Sequence, residues 1–356
     1  MTIPSVCHPQ WITLRLRKFP FSYRIDRRVP LVAIALLAFT LLLLVLSVSY
    51  GEYNIPPLDV VRTILNTNQS HPDYANFHLV IFTFRLPRIL LAFLVGAALA
   101  VSGTIMQGIM RNPLADPYLL GVSEGAGLAA VTLIVVMKNV SIALIPYAAF
   151  GGALLTAAAI YFLAWKHGSS IPIRLILIGI AISSVIGAVM TTILLFGRID
   201  DVQQAYVWLA GSVHGSNWQQ VSTLAGWLLV FLPLAFLMAR DLNILNLGDD
   251  AAKGLGLHVE RQRILLLIVS VALASAAVAV AGTISFVGLI APHVTRRLVG
   301  PSHEGLLPVS ALFGSALVVL ADLISRWVIA PSELPVGLVT AMIGAPYFLY
   351  LLYRSR

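Results

Sequence analysis

Charge is scarce in this sequence. Of its 356 residues 11% are Asp, Glu, Lys or Arg, where a soluble domain carries about 25%. With 59% hydrophobic residues and a mean hydropathy of +0.91, such a chain needs lipid rather than water around most of its surface. Cysteine is nearly absent. The lone Cys7 excludes an intramolecular disulfide and any multi-cysteine metal cluster. No GxxxxGK[ST] loop, nucleophile elbow or HExxH run occurs, so nothing in this chain is built to hydrolyse ATP. If it drives active transport, the energy comes from another chain or from an ion gradient.

What the sequence does have is a repeating alternation of apolar runs and short polar joints. A spanning helix needs about 20 mostly apolar residues. Candidate spans are 30–49, 88–110, 118–137, 142–165, 173–196, 220–239, 264–282, 284–299, 306–327 and 336–353. These predict an all-α, polytopic membrane protein with about ten transmembrane helices. A cytoplasmic segment, 1–29, precedes a permease-like domain, 30–356. The first run, Leu31 to Val48, competes with a secretory signal reading, but its basic lead is long and many spans follow, which favours an uncleaved helix.

The positive charges set the orientation. With the N-terminus inside, the inner side carries 17 of the 23 Lys and Arg residues and the outer side 6, as the positive-inside rule demands. That distribution also explains the net charge of +8 without nucleic acid, because the positives form no single stripe. The stretch 264–295 is too long for one upright helix and short for two. Two short or tilted crossings, broken around Gly282 and Gly288, satisfy the flanking arginines on both sides.

Small residues concentrate inside the spans. Gly96, Ala100 and Gly103 share one helix, and Gly121 and Gly125 make a GxxxG. Both patterns suit close helix packing within the chain or, alternatively, a dimer face. Arg88-Ile-Leu-Leu leading to Gly103-Thr-Ile is echoed by Arg263-Ile-Leu-Leu leading to Gly282-Thr-Ile. One copy starts outside and the other inside, as in an inverted-topology repeat, although chance similarity between Leu-rich helices accounts for it equally well.

Several joints carry chemistry. Asp59, His71, Asp73 and His78 lie in the outer joint 50–87, at spacings matching no standard metal-ligand set. Trp208 and Trp218 in the joint 197–219 suit an interfacial helix. Arg85 and Arg88 share a helix face at an outer span end, with Pro87 near the helix start. They oppose the orientation signal and sit at the positive end of a helix dipole. An acidic periplasmic partner would compensate them through bidentate contacts, with Arg326 in the same patch. Snorkelling to lipid headgroups is the other reading. The longest inner joint contains Leu247, Gly248, Asp249, Asp250, Ala251, Lys253, Gly254 and Gly256. It reads as a short helix with acids at its start and a glycine stop, a handle for a soluble partner or simply a turn. The prolines of Arg111-Asn-Pro-Leu-Ala-Asp-Pro117 force a rigid turn. Glu124 and Asp322 are acids inside apolar runs, where they serve a pathway or a paired structural role.

At these residues the sequence resembles the FecCD-type permeases. The resemblance rests on Arg85-Leu-Pro-Arg-Ile-Leu, Val95 to Gln107, Asn112-Pro-Leu-Ala-Asp-Pro117 and Leu120-Gly-Val-Ser-Glu-Gly125. It continues in Leu247-Gly-Asp, Phe286 to His293, Leu320-Ala-Asp322 and Glu333-Leu-Pro-Val-Gly337. Those permeases are the membrane part of ABC importers for iron–siderophore complexes, haem or cobalamin. The resemblance implies ten helices and a second permease subunit, identical or sibling. It also implies two ATP-binding cassette ATPases that hold ATP-Mg, and a periplasmic or lipid-anchored binding protein, all at a cell inner membrane. It places receptor docking on Arg85, Arg88 and Arg326 and ATPase coupling on roughly 245–260. No cofactor or metal is implied on the chain itself, and no role carries over to Glu124. An ion-driven secondary transporter or a membrane-embedded enzyme would need a carboxylate relay or clustered catalytic groups. Even-numbered crossings predict that a tag at either terminus is protected from external protease in spheroplasts. Cleavage at one end alone would require an odd number.

Overall fold

The computed structural model describes residues 11–354 apart from 16–21, 52, 70, 138–140, 167–168, 171 and 330–331. Cys7, Lys138 and much of the segment 1–29 therefore lie outside the described residues. A short antiparallel hairpin, β1 (Trp11–Arg15) with β2 (Ser22–Asp26), precedes the helices. A two-residue pair, β3 (Trp165–Lys166) with β4 (Ser169–Ser170), closes one inner joint. Among the described residues everything else that is regular is helical.

In chain order the first helices are α1 (Arg28–Ser49), α2 (Pro57–Ile64), α3 (Tyr74–Leu79), α4 (Leu86–Met110) and α5 (Val122–Val131). Next come α6 (Ile145–Ala164), α7 (Pro172–Leu195), α8 (Ile199–Leu209), α9 (Trp218–Leu237) and α10 (Ala239–Asn246). The last are α11 (Asp249–Gly254), α12 (Val259–Ala281), α13 (Val287–Val299), α14 (His303–Trp327) and α15 (Val336–Arg354). Each expected span falls on one of them. Among the described residues seven helical runs are long and apolar enough to cross a membrane, and Val122–Val136 and Val336–Leu351 are shorter apolar helices. We call the end bearing Arg85 outer and the end bearing Arg111 inner, following the charge asymmetry.

The long helices are apolar on nearly all sides, as lipid solvation requires. The two most enclosed, α4 and α12, form the centre. A Cβ at Gly96 would run into the backbone of Gly314 on α14, and one at Gly103 into the backbone of Gly288 on α13. Gly125 of α5 meets Gly152 and Thr156 of α6 in the same way. The small-residue faces are thus occupied by packing within the chain. Deep in the centre Ser102 and Ser270 join α4 to α12. Each hydroxyl donates to the other residue's carbonyl, at 2.7 and 3.0 Å.

Two details depart from the sequence reading. The outer joint 50–87 is largely helical. Helix α3 continues through a wide turn at Val80–Arg85 into α4, giving one run from Tyr74 to Met110. Pro87 sits just past that wide turn, which relieves the clash its ring would cause in a regular helix. The break in 264–295 falls at Gly282–Phe286 rather than at Gly288. Gly282 takes φ +69° and Phe286 φ +67°, while Gly288 lies inside α13 and serves the approach of Gly103. Helix α12 is full length, and the 13 residues of α13 rise only about 20 Å. The outer joint 197–219 does contain a helix, α8, with Ile199, Tyr206 and Val207 exposed.

Gly103→Ala is expected to destabilise the purified chain by about 1–3 kcal/mol through overpacking. Gly151→Ala, which has open space at its Cβ, is expected to be neutral or stabilising. Thermal midpoints in detergent check the contrast, and equal midpoints would contradict the close approach.

Candidate functional site

At the outer end, two of the three arginines that break the orientation rule, Arg88 and Arg326, converge on two acids. Arg88, in the first turn of α4, donates through Nε to Asp322 Oδ1 at 2.9 Å and pairs with the same carboxylate through Nη2 at 2.8 Å. Its Nη1 reaches both oxygens of Glu333, at 2.8 and 3.0 Å. Asp322 lies on α14, and Arg326 one turn on meets its Oδ2 at 3.1 Å. His214 Nδ1 lies 2.7 Å from Glu333 Oε2. Arg326 also donates to the Ser47 carbonyl at 3.1 Å. Arg85 is held by the carbonyls of Val48, Ser49 and Tyr53, which cap the end of α1 and the chain after it.

These arginines are buried or nearly so, and each directs its guanidinium to partners within the chain. Their guanidinium groups bolt α4 to α1, α14 and the segment before α15. A fully desolvated Asp322 would be costly alone, so its two arginine partners account for its place inside an apolar run. Burial works to raise the pKa of Glu333, but Arg88 and His214 outweigh it and hold the carboxyl below its ordinary value. Counting arginines and carboxylates alone, this cluster of Arg85, Arg88 and Arg326 with Asp322 and Glu333 carries one excess positive charge.

At the inner end the clamp repeats with other residues. Asp249, first residue of α11, accepts two hydrogen bonds from Arg263 Nη2, at 2.9 and 3.0 Å, and also binds Arg111. Arg263 also pairs with Glu260. Arg111 caps α4 in a left-handed conformation, φ +49°, and Arg263 belongs to the first turns of α12. One carboxylate therefore ties the short α11 to both central helices. Burial pushes the Asp249 pKa up, yet Arg263 and Arg111 hold it below the ordinary carboxylate value. The clamp therefore survives as pH falls through the usual carboxylate range and is lost only below it. Gly248, at φ +104°, precedes α11, and Gly256, at φ +85°, closes the turn after it, as expected from a glycine stop. Asp250, Ala251, Lys253 and Gly254 lie exposed along it. Leu247 and Leu255 flank it with 65% and 64% exposure, an apolar pair left open beside a charged turn.

The described acidic and imidazole groups of the outer joint have other neighbours. Asp59 pairs with Arg62 at 3.6 Å. His71 stacks on Phe77 and His78 on Phe82. Among the described residues no group of three His, Cys, Asp or Glu could hold a metal ion. Trp218 donates its indole N–H to the Phe82 carbonyl at 2.8 Å. The sequence reading missed Glu333 and His214 as partners of Arg88, and Glu260 as a partner of Arg263. The i,i+4 spacing of Asp322 and Arg326 was the available signal for the outer pair.

Comparison with known proteins gives a consistent result. A model of the FecCD transport family matches residues 39–354. The iron(3+)-hydroxamate import system permease protein FhuG of Bacillus subtilis is 43% identical over 92% of this chain and 98% of its own length. The Fe(3+) dicitrate transport system permease protein FecD of Escherichia coli is 42% identical over 91% of this chain and 99% of its own. A metal-chelate type ABC transporter solved in an inward-facing conformation superposes with a TM-score of 0.81 at 31% identity, over 91% of this chain and 99% of that one.

Arg88→Gln is expected to cost about 3 kcal/mol of stability, because it leaves Asp322 without its main partner. Adding Asp322→Asn in the same chain is expected to restore most of that loss. Denaturation of both variants and the wild type closes the cycle, and additive losses would mean the two residues are not coupled.

Proposed function

The chain belongs to the FecCD transport family, and we propose that it carries a ferric chelate across the inner membrane as one half of a permease pair. It is a multi-pass membrane protein and the permease subunit of a binding-protein-dependent ABC importer. Its partners in this reading are a second permease copy or sibling, two ATPase subunits that bind ATP-Mg below, and a periplasmic or lipid-anchored receptor above. Similarity favours iron–siderophore cargo over haem or cobalamin. Relatives named for hydroxamate and for dicitrate chelates match almost equally well, so overall identity does not choose among siderophores.

The observation that carries the coupling part of this reading is the triple clamp on Asp249. Leu247 and Leu255 offer an apolar grip to a soluble subunit, and Asp250 and Lys253 supply polar edges. A push on α11 passes through Asp249 to Arg263 of α12 and Arg111 of α4. From Arg111 helix α4 runs about 34 Å to Arg88, whose carboxylate partners lie on α14 and just before α15. Nucleotide-driven closure below and receptor docking above therefore act on one connected body. Only their differential binding to two arrangements can shift the balance between them.

Docking is assigned to the outer rim of Arg85, Arg88 and Arg326. Because these arginines already hold internal partners, an acidic receptor would be drawn by the excess positive charge. It would meet Arg88 at the edge where Glu333 and His214 are accessible. An ion-driven secondary transporter fits less well, because Asp322, one of two candidate relay acids, is locked between two arginines.

The complete assembly in proteoliposomes is expected to take up ⁵⁵Fe-labelled ferric siderophore only with ATP and receptor present. ATP-independent uptake would remove the importer reading. Leu247→Asp with Leu255→Asp is expected to lower ATPase co-purification at least tenfold while the permease stays folded. Undiminished co-purification would remove the coupling assignment.

A further inference from the structure

Two irregular backbone segments face each other inside the apolar bundle. One runs from Asp116 through a 3₁₀ turn at Pro117–Leu120 to Gly121, and the other is Gly282–Phe286 between α12 and α13. Asp116 and Pro117 lie beside Gly288, which also touches the Leu99 carbonyl. Leu99 is about 16 Å up α4 from Met110, so the first segment turns back toward the middle of the bundle. Tyr118 donates its hydroxyl proton to the Ile284 carbonyl at 2.8 Å and ties the two segments together. Phe286 is held at φ +67°, a conformation an aromatic residue adopts only where its surroundings impose it. Gly344 leaves room for its ring. Non-helical backbone at such depth is tolerated where it is buried in protein or lines a water-filled cavity.

A cavity of about 560 Å³ lies between these segments and α7. That is the size of a small-ligand pocket. Its polar lining is Asp116, Tyr118, Glu124, Ser183, Ser184 and Ser285, and no Lys, Arg or His lines it. Asp116 Oδ1 accepts from the Tyr118 N–H at 2.9 Å and caps the 3₁₀ turn. Glu124 Oε2 is buried without a hydrogen-bond partner. Among the described residues of α7, only Leu175 and Gly179 are buried, so the cavity opens along a helix that this chain alone leaves uncovered. Ionisable side chains at membrane depth face protein or water rather than lipid tails. A cavity lined by two carboxylates is therefore expected to face protein or an aqueous path rather than lipid tails.

We propose that Asp116 and Glu124 make this cavity a charge filter on the transport path, one that takes ferric chelates bearing an ammonium or hydrogen-bond donor groups and disfavours anionic ones. This rests on the importer reading above and adds the chemical class of cargo. A half-buried carboxylate with one oxygen left unpartnered, as at Glu124, is stabilised by a cation or an N–H or O–H donor. A second negative charge nearby is repelled, and no basic residue of the lining offsets it. Ser183, Ser184 and Ser285 supply weaker contacts to a polar ligand surface, so cargo is oriented without being trapped. At an effective dielectric constant of about 20, one unit charge within about 10 Å changes a rate or occupancy by roughly tenfold.

The test uses three ferric trihydroxamates on one scaffold, with a terminal amine that is free, acetylated or succinylated, and ferric dicitrate as a fourth probe. Initial ⁵⁵Fe uptake is measured in proteoliposomes of the complete assembly and normalised to receptor affinity for each probe. The wild type is expected to move the amine form about tenfold faster than the succinylated one. Glu124→Gln, and Glu124→Ser as a second variant, are expected to reduce that ratio below threefold, with monodisperse elution reporting that each is folded. A wild-type ratio near one, or a ratio unchanged in both folded variants, overturns the filter. So does uptake of ferric dicitrate with none of the trihydroxamates. Absence of ATP-dependent uptake of all four overturns the importer reading itself.

Discussion

At Gly96 and Gly103 the backbone of α4 rests directly on the backbones of α14 and α13, and the rest of the bundle is arranged around those two approaches. In lipid no hydrophobic drive pushes helices together, so packing depends on how closely their atoms meet. Glycine at both crossings brings main chain onto main chain and puts α4 at the centre. Once α4 is enclosed, its arginines at the outer end and its cap at the inner end are fixed in place. The charged clamps at either extremity can then form with defined partners.

Those clamps resemble each other in plan. Outside, Arg88 of α4 is gripped by Asp322 and Glu333. Inside, Arg263 of α12 is gripped by Asp249 and Glu260. The two helices begin with the same Arg-Ile-Leu-Leu run and lie side by side in the core. Arginine suits both positions because its planar fork engages two carboxylates at once and stays charged when buried. The echo in sequence thus corresponds to a shared physical device at opposite ends, whatever its origin.

Much of this was legible from residue order alone. The apolar runs located every long helix, the glycine at 282 located the break before α13, and the acids and glycines of 248–256 located α11. The outer arginines stood out because they contradicted the charge asymmetry. What the order of residues concealed was where their counter-charges lay. Asp322 sits 234 positions from Arg88 and Glu333 sits 245 away, and such pairings are set by helix packing rather than local spacing. The helical extension over 74–85 was hidden for a different reason. Polar and aromatic residues made it look like a loop, and distant contacts such as the Trp218 bond to the Phe82 carbonyl and the Arg85 bonds to the end of α1 hold it in place. Gly288 misled because the same residue type serves a chain reversal and a tight crossing.

The reciprocal hydroxyl bonds between Ser102 and Ser270 carry a consequence for motion. Parting them would leave two buried hydroxyls without their interhelical acceptors in a medium with no water to replace them. Helices α4 and α12 are therefore pinned at that depth, like two blades on a common rivet. Rotation about the rivet remains open, whereas sliding past it does not. Helix α7, of which only Leu175 and Gly179 are buried among the described residues, is held far less firmly by the rest of the chain.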